Sequence, residues 1–222
     1  LGLELARRGH AIHFITYSQP VRLALLNPNV HYHEVHVPEY PLFHYQPYEL
    51  ALSSKLVDMV KLYKIDVLHV HYAIPHAYAG YMAKQMLADE GIHIPMVTTL
   101  HGTDITLVGN HPFYKPAVNF SINKSDVVTS VSESLREDTY RLFDIKKDIV
   151  VIPNFIEIFK EKSFDNTPCH RSLMATEDEK IITHISNFRK VKRIDDIVKI
   201  FYEIQKEIPS KLMMVGEGPE KE

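Results

Sequence analysis

The feature that most constrains the fold of this chain is a regular alternation of short β-branched segments with segments of helical periodicity. Eight segments predict strands: Ile12–Thr16, Val30–Val37, Val67–His71, Met96–Leu100, Val127–Val131, Ile149–Ile152, Ile181–Ile185 and Leu212–Val215. Between several of them apolar residues recur every three or four positions, as in the stretches that begin at Leu50 and Ile194. Strands with apolar cores that alternate with helices predict an α/β fold with parallel sheets covered by helices on both faces.

The composition limits the kind of partner and the compartment. The formal net charge of -3 gives no reason to expect bulk attraction to nucleic acid or to acidic lipid. No apolar run approaches the roughly 20 residues that a membrane span needs, so no integral membrane segment is expected. A single cysteine, Cys169, excludes an internal disulfide framework and is typical of a reducing cytosol. We therefore expect a cytoplasmic protein.

A gap in the strand-forming sequence predicts two domains. Apolar strand sequence stops at Ile152 and resumes at Ile181, with a polar stretch between them. We place the boundary near Asn154, so that residues 1–154 form a nearly complete Rossmann-like domain and residues 155–222 the start of a second one. Both ends are abrupt, because the chain opens within a helical pattern and stops just after a strand and turn. We expect an internal piece of a longer protein that is inactive by itself.

Candidate site residues follow the strands, because ligands of open parallel sheets bind beyond the carboxyl ends of the strands. His101 comes directly after a β-branched strand, where an imidazole can donate to a substrate hydroxyl or stabilise departing charge. A structural hydrogen bond is the alternative for His101. Ser132 is predicted to cap a helix and also lies where a phosphate or an acceptor could be contacted.

A second group of candidates follows the last two strands. Arg189, Lys190, Lys192 and Arg193 precede a helix predicted to begin near Ile194, and such a cluster can bind a diphosphate with help from the helix N-terminus. A solvated basic turn is the alternative for this cluster. The later turn from Gly216 to Pro219 would let backbone amides approach a ligand, although many such turns bind nothing.

Histidine pairs raise the question of a metal site. The pairs His31/His33 and His69/His71 each share one strand face and could chelate. No third ligand has the spacing of a zinc site, so no metal site is predicted. We expect His69 to pack or to form a hydrogen bond within its sheet.

Five phrases together carry a family resemblance, and they are VTTLHGTD, DVVTSVSESLRED, IPNFIE, ISNFRKVKRIDDIV and LMMVGEGPE. In this order and spacing they resemble glycosyltransferase family 4, and the resemblance covers essentially the whole chain. It implies a GT-B fold of two Rossmann-like domains and a sugar transfer with retention that needs no cofactor and no essential metal. The phrases RGHAIHFIT, HVHYAIPHA and SNFRKVKR resemble a bacterial subgroup that transfers N-acetylglucosamine from UDP-GlcNAc to L-malate in bacillithiol biosynthesis.

The resemblance also implies roles for individual residues. His101 would act as the catalytic residue beside the anomeric carbon of the donor sugar. The N-terminal domain would bind the acceptor, and the C-terminal domain would bind the nucleotide sugar, with Lys192 on the UDP diphosphate. The implied donor contacts are Asn187, Arg189, Lys192, Gly216, Glu217 and Gly218. The implied acceptor contacts are Tyr72, Thr99 and Asn119, the last of which stands where a basic contact is expected. Ser132 is counted with them because of its place at a helix start.

Alternatives remain open at this point. The expected partners are UDP-GlcNAc and a small hydroxy acid, but another small or lipid-linked acceptor fits the family equally. A non-catalytic nucleotide-sugar-binding module and a sugar-nucleotide epimerase use the same fold. Two family motifs, a glycine-rich loop and an E-x7-E acidic pair, would lie before Leu1 and after Glu222. The sequence leaves the oligomeric state open, with a homodimer as one alternative.

Overall fold

A computed structural model describes residues 1–20, 23, 26–37, 39, 45–155 and 170–221. The chain divides into two compact units, Leu1–Ile156 and Glu157–Glu222. The first unit contains α1 (Gly2–Arg7), β1 (Ile12–Thr16), β2 (Val30–Glu34), α2 (Tyr48–Tyr63), β3 (Leu68–His71), α3 (Tyr78–Asp89), β4 (Met96–Leu100), α4 (Lys115–Lys124), β5 (Val127–Ser130), α5 (Glu133–Leu142) and β6 (Ile149–Val151). The second unit contains β7 (Lys180–Ile185), α6 (Ile194–Glu207) and β8 (Ser210–Val215). Residues 156–169, which include Cys169 and part of the predicted polar linker, lie outside the described residues.

All eight predicted strands are present, and their bounds differ from the predicted ones by a few residues. The largest difference is in β2, which ends at Glu34 instead of Val37. Its partner β1 ends at Thr16, and the register pairs Thr16 with Glu34, so the residues that follow have no strand opposite them. Strand β8 begins at Ser210, two residues earlier than predicted, because Ser210 pairs with Lys180 of β7.

Every strand pair is parallel, which confirms the predicted α/β class. The order is β1-β2 in one sheet, β3-β4-β5-β6 in a second, and β7-β8 in the second unit. A cavity of about 430 Å³ is lined by residues of both β1 and β3. Strands β1 and β3 do not pair with each other, so the described residues of the first unit form two sheets.

Two apolar clusters form the core of the first unit. One packs α2 and α3 against β3 through residues such as Leu56, Val70 and Leu87. The other surrounds Leu100, the last residue of β4, which is fully buried beside Val128. Because Leu100 is fixed by this packing, the chain leaves the sheet at a defined point, and His101 is the first residue beyond it.

The described helices are short. The longest of them, α2, has 16 residues. Within the described part of the chain, no helix combines the length and the apolar character that crossing a bilayer requires.

Candidate active site

A buried carboxylate holds the ends of β3 and β4 together. The side chain of Asp104 accepts hydrogen bonds from the backbone N–H groups of Ala73 at 2.8 Å, Gly102 at 2.9 Å and His101 at 3.2 Å. Asp104 is 3% exposed, and three donors replace the water that its charge loses on burial. Asp104 was not among the candidates indicated by the sequence, because it accepts from residues that precede it, unlike the usual Asp turn in which the side chain accepts from an N–H group two residues further on.

Replacing Asp104 with asparagine should lower the free energy of unfolding of the first unit by about 1–2 kcal/mol. The amide group keeps one acceptor oxygen but turns an NH₂ group toward a backbone donor, so at least one of the three hydrogen bonds is lost. Urea unfolding followed by circular dichroism measures the change. Asp89→Asn, at an exposed residue, is the matched control and should stay within about 0.5 kcal/mol of the parent. Equal stability of the two variants would contradict this role for Asp104.

His101 begins the turn beyond β4. The next residue, Gly102, has a φ of 113°, a left-handed conformation that would strain any residue with a Cβ. The ring of His101 lies against the ring of Tyr72, with centroids 4.8 Å apart. Partial burial lowers the pKa of His101, and the nearby Asp104 opposes this shift. His101 is therefore a neutral imidazole near neutral pH and can donate a hydrogen bond without carrying a positive charge.

Tyr72 adopts a strained backbone conformation. Its φ of 76° and ψ of 136° lie in a region that residues with a side chain rarely occupy. The N–H group of Tyr72 donates to the carbonyl of Thr99 at 2.9 Å, which anchors the strained residue to β4. Strain of this kind is concentrated at ligand-binding and catalytic positions. The observation therefore favours a functional role for Tyr72.

Tyr72 also lines a cavity of about 670 Å³ in the first unit. Tyrosines from separate segments contribute to its wall, and the polar or aromatic lining residues include Tyr45, Tyr72, Tyr78, Tyr114, Thr103 and Asp104. The carboxylate of Glu49 is also part of the lining, whereas no Lys or Arg is found among the described lining residues. Aromatic faces combined with a few polar groups are typical of small-molecule sites. Sequence reasoning missed these tyrosines apart from Tyr72.

The other predicted acceptor contacts lie elsewhere in the first unit. The hydroxyl of Thr99 is within 2.8 Å of Nε2 of His69 and 2.7 Å of the hydroxyl of Thr129, which confirms the predicted hydrogen bond of His69 within the sheet. Ser132 caps α5 as predicted, accepting from the N–H of Leu135 at 3.2 Å. Asn119, on α4, has a buried Oδ1 without a partner in the described part of the chain. None of the three predicted contacts is among the described residues that line the cavity, and their acceptor roles stay predictions.

The cationic candidates of the second unit lie in the turn between β7 and α6. Arg189 precedes a 3-10 turn formed by Lys190–Lys192, and α6 begins at Ile194 as predicted. Arg193 forms an ion pair with Asp196 at 2.5 Å. Arg189, Lys190 and Lys192 are exposed, and we find no ion pair for them with any described residue.

The charge of the first turn of α6 decides how an anion would be attracted here. Asp195 and Asp196 lie in that turn and oppose the positive end of the helix dipole. If a diphosphate binds here, the cations of the preceding turn would be the main source of its attraction, and the helix N-terminus would contribute less than the sequence suggested.

The glycine turn after β8 packs against the loop after β7. A Cβ atom on Gly216 would lie 1.9 Å from the carbonyl oxygen of Ser186, and one on Gly218 would lie 2.2 Å from that of Phe188. The N–H of Phe188 donates to the carbonyl of Glu217 at 2.9 Å. The two glycines are thus required for close packing, and they bring the turn beside the loop that carries Asn187. Asn187 therefore lies beside the glycine turn, and Arg189 and Lys192 follow in the same loop.

The histidine pairs are engaged with other side chains. Nδ1 of His13 and Nε2 of His33 are 2.8 Å apart, and the rings of His69 and His71 stack with centroids 4.7 Å apart. In the described ranges, no group of three or more His, Cys, Asp or Glu residues is arranged to hold a metal ion.

Comparison with known proteins gives three results. The profile of Glycosyltransferase Family 4 matches residues 1–158. The chain is 49% identical over 220 residues to N-acetyl-alpha-D-glucosaminyl L-malate synthase of Bacillus anthracis, which covers 99% of this chain and 57% of that protein. It is 26% identical over 232 residues to an uncharacterized glycosyltransferase of Methanocaldococcus jannaschii, covering 96% of this chain and 56% of that protein. The chain thus spans a little over half the length of these two relatives.

A solved structure supports the fold. The crystal structure of a glycosyltransferase from Rickettsia africae ESF-5 matches with a TM-score of 0.63 and 16% identity, covering 96% of this chain and 62% of that chain. At this identity the match bears on the fold and not on the substrates.

Proposed function

The chain belongs to glycosyltransferase family 4, and on that basis we propose that the protein transfers N-acetylglucosamine from UDP-GlcNAc to L-malate with retention of configuration. The observation that carries this proposal is 49% identity along 99% of the chain to a relative named N-acetyl-alpha-D-glucosaminyl L-malate synthase. An identity of this size along the whole chain makes a shared donor and acceptor the simplest interpretation.

The first unit is proposed to bind the acceptor in the cavity lined by Tyr72. Tyr72, Tyr78 and Thr103 line it, and their side chains carry hydroxyl groups that can donate to acceptor oxygens. The ring of His101 contacts Tyr72, so a hydroxyl held beside Tyr72 would also be near the imidazole. In the proposed step the acceptor hydroxyl bonds to the anomeric carbon while the bond from that carbon to the UDP oxygen breaks. The hydroxyl proton passes to the departing β-phosphate, and UDP leaves.

The second unit is proposed to bind the donor. Charge develops on the leaving diphosphate, and preorganised cations that meet such charge lower the barrier. Lys192 and Arg189 are exposed and unpaired within the described ranges, so neither has to give up an ion pair before it binds a phosphate. Because lysine and arginine can supply this charge compensation, we propose that the reaction needs no essential metal ion, so that EDTA leaves turnover unchanged.

An uncharged acceptor is the second candidate. Malate carries two carboxylates at neutral pH, and the described lining of the cavity offers hydroxyl groups together with the carboxylate of Glu49, whereas the carboxylate of Asp104 is occupied by backbone N–H groups. Like charges at short distance repel, so this lining favours an uncharged hydroxyl compound over a dianion. The two candidates differ in whether the acceptor must carry carboxylates.

Incubation of the full-length protein with UDP-GlcNAc and a panel of acceptors tests the proposal. We expect mass spectrometry to detect N-acetylglucosaminyl malate, and NMR of the product to show the α-anomer. Lactate serves as an acceptor with one carboxylate, and glycerol serves as an acceptor with no carboxylate. Product from glycerol but not from malate would support the uncharged candidate. Loss of UDP-GlcNAc without any acceptor product would indicate an epimerase, and binding without turnover would indicate a binding module.

A further inference from the structure

The ring of His101 is held by a second histidine. Nε2 of His101 lies 2.8 Å from Nδ1 of His71, at the end of the neighbouring strand β3. The two ring centroids are 5.1 Å apart, and the ring of His71 also stacks on the ring of His69. The sequence indicates His71 only as half of a histidine pair that could chelate, and the proposed function assigns it no role.

The position of His71 is itself fixed from several sides. His71 pairs with Thr99 in the β3-β4 register, and the next residue, Tyr72, donates its N–H to the carbonyl of Thr99. The carbonyl of His71 accepts a hydrogen bond from Nδ1 of His76 at 2.7 Å. A carbonyl oxygen can only accept, so Nδ1 of His76 carries the proton. His71 is therefore a rigid support for the ring it contacts.

We propose that His71 is a positioning residue that fixes His101 in the tautomer with the proton on Nδ1. The inference rests on the proposed function and on the role that the family resemblance implies for His101, which is to donate a hydrogen bond to the donor sugar or to the leaving group. Its geometric basis is the short distance between Nδ1 of His71 and Nε2 of His101.

The number of protons on the two rings limits how they can be hydrogen-bonded. Two imidazole nitrogens at 2.8 Å form a hydrogen bond when one carries a proton and the other a lone pair. Desolvation, together with the charges of His69 and His101, lowers the pKa of His71 to about 4, and burial lowers the pKa of His101, so both rings are neutral near neutral pH. Each ring then holds one proton, and two arrangements remain.

The role of His101 selects between these arrangements. If Nε2 of His101 donated to His71, Nδ1 of His101 would carry a lone pair and could not donate to a substrate. If His71 donates from its Nδ1, the His101 proton sits on Nδ1 and is available to a substrate oxygen. The ring of His101 has no other hydrogen bond within the described ranges. Only the second arrangement lets a neutral His101 act as a donor.

The first test is the tautomer itself. Nitrogen-15 NMR of the histidine rings in the ligand-free protein should show His101 protonated on Nδ1. In His71→Ala this preference should be lost, because water replaces the fixed donor. In His71→Asn the preference should persist, because the Asn amide can place an N–H close to the position of Nδ1. His101 protonated on Nε2, or a tautomer unchanged by His71→Ala, would overturn the proposal. This readout does not depend on turnover or on the identity of the acceptor.

The second test is kinetic. We expect His71→Ala to lower kcat about 10–100-fold, the range for partners that orient a functional ligand, with UDP affinity changed less than about twofold. His71→Asn should recover most of the lost kcat. His31→Ala removes a stacked histidine from β2 and serves as the control for general destabilisation. A loss of kcat in His71→Ala that Asn does not restore, or that His31→Ala reproduces, would reduce His71 to a structural residue. Absence of transfer by the parent protein would instead refute the proposed function.

Discussion

His101→Ala is expected to lower kcat about 100–1000-fold, the range observed when one preorganised donor to developing charge is removed. His101 lies directly after the buried end of β4 and is neutral near neutral pH because burial lowers its pKa. The proposed hydrogen bond from His101 to the donor sugar or the leaving group strengthens as the bond to UDP breaks. Removal of the imidazole should therefore affect the transition state more than the bound donor. Steady-state kinetics gives kcat, and calorimetry with UDP gives the affinity, which should change less than about threefold.

A control variant distinguishes the catalytic role of His101 from the effect of removing a histidine elsewhere in the protein. His93 is exposed in the loop before β4, and His93→Ala should leave both kcat and UDP affinity unchanged. Thermal unfolding of His101→Ala checks that the turn around Asp104 survives the substitution. Small and equal effects on kcat and UDP affinity would place His101 among the structural residues and remove the catalytic assignment.

Lys192→Ala is expected to weaken UDP binding by about 1.5–3 kcal/mol, which corresponds to roughly 10–150-fold in Kd. The ammonium group of Lys192 is exposed and has no ion pair with any described residue. It can therefore pair with a bound diphosphate without first leaving a carboxylate. The parent protein should also lose UDP affinity as salt concentration rises, because exposed charges are screened. Calorimetry at two ionic strengths measures both effects.

Lys199→Ala provides the matched control for Lys192. It removes one exposed positive charge from α6, a few residues along the chain, and so changes the net charge by the same amount. Lys192→Arg keeps the charge and should retain most of the affinity. If Lys192→Ala and Lys199→Ala weakened UDP binding equally, the turn before α6 would be a solvated basic turn, which is the alternative that the sequence left open.

The strands and helices follow from local sequence, because their signals lie within a few positions of each other. The alternation of β-branched and helical segments located all eight strands. The hydroxyl of Ser132 marked the start of α5, and the start of α6 at Ile194 followed from its apolar periodicity. The strand ends in turn indicated His101 and Lys192 as candidates, because parallel sheets place ligands at that edge.

The contacts that shape the candidate site were decided by the tertiary structure. Asp104 accepts from Ala73 across 31 positions, and His71 meets His101 across 30. No local pattern specifies such pairs, because they depend on β3 and β4 becoming neighbours in one sheet with one register. The strained backbone of Tyr72 and the close approach of Gly216 to Ser186 arise in the same way. Sequence by itself determined which elements form and which of their ends carry chemistry, whereas packing between distant segments determined how those side chains are held.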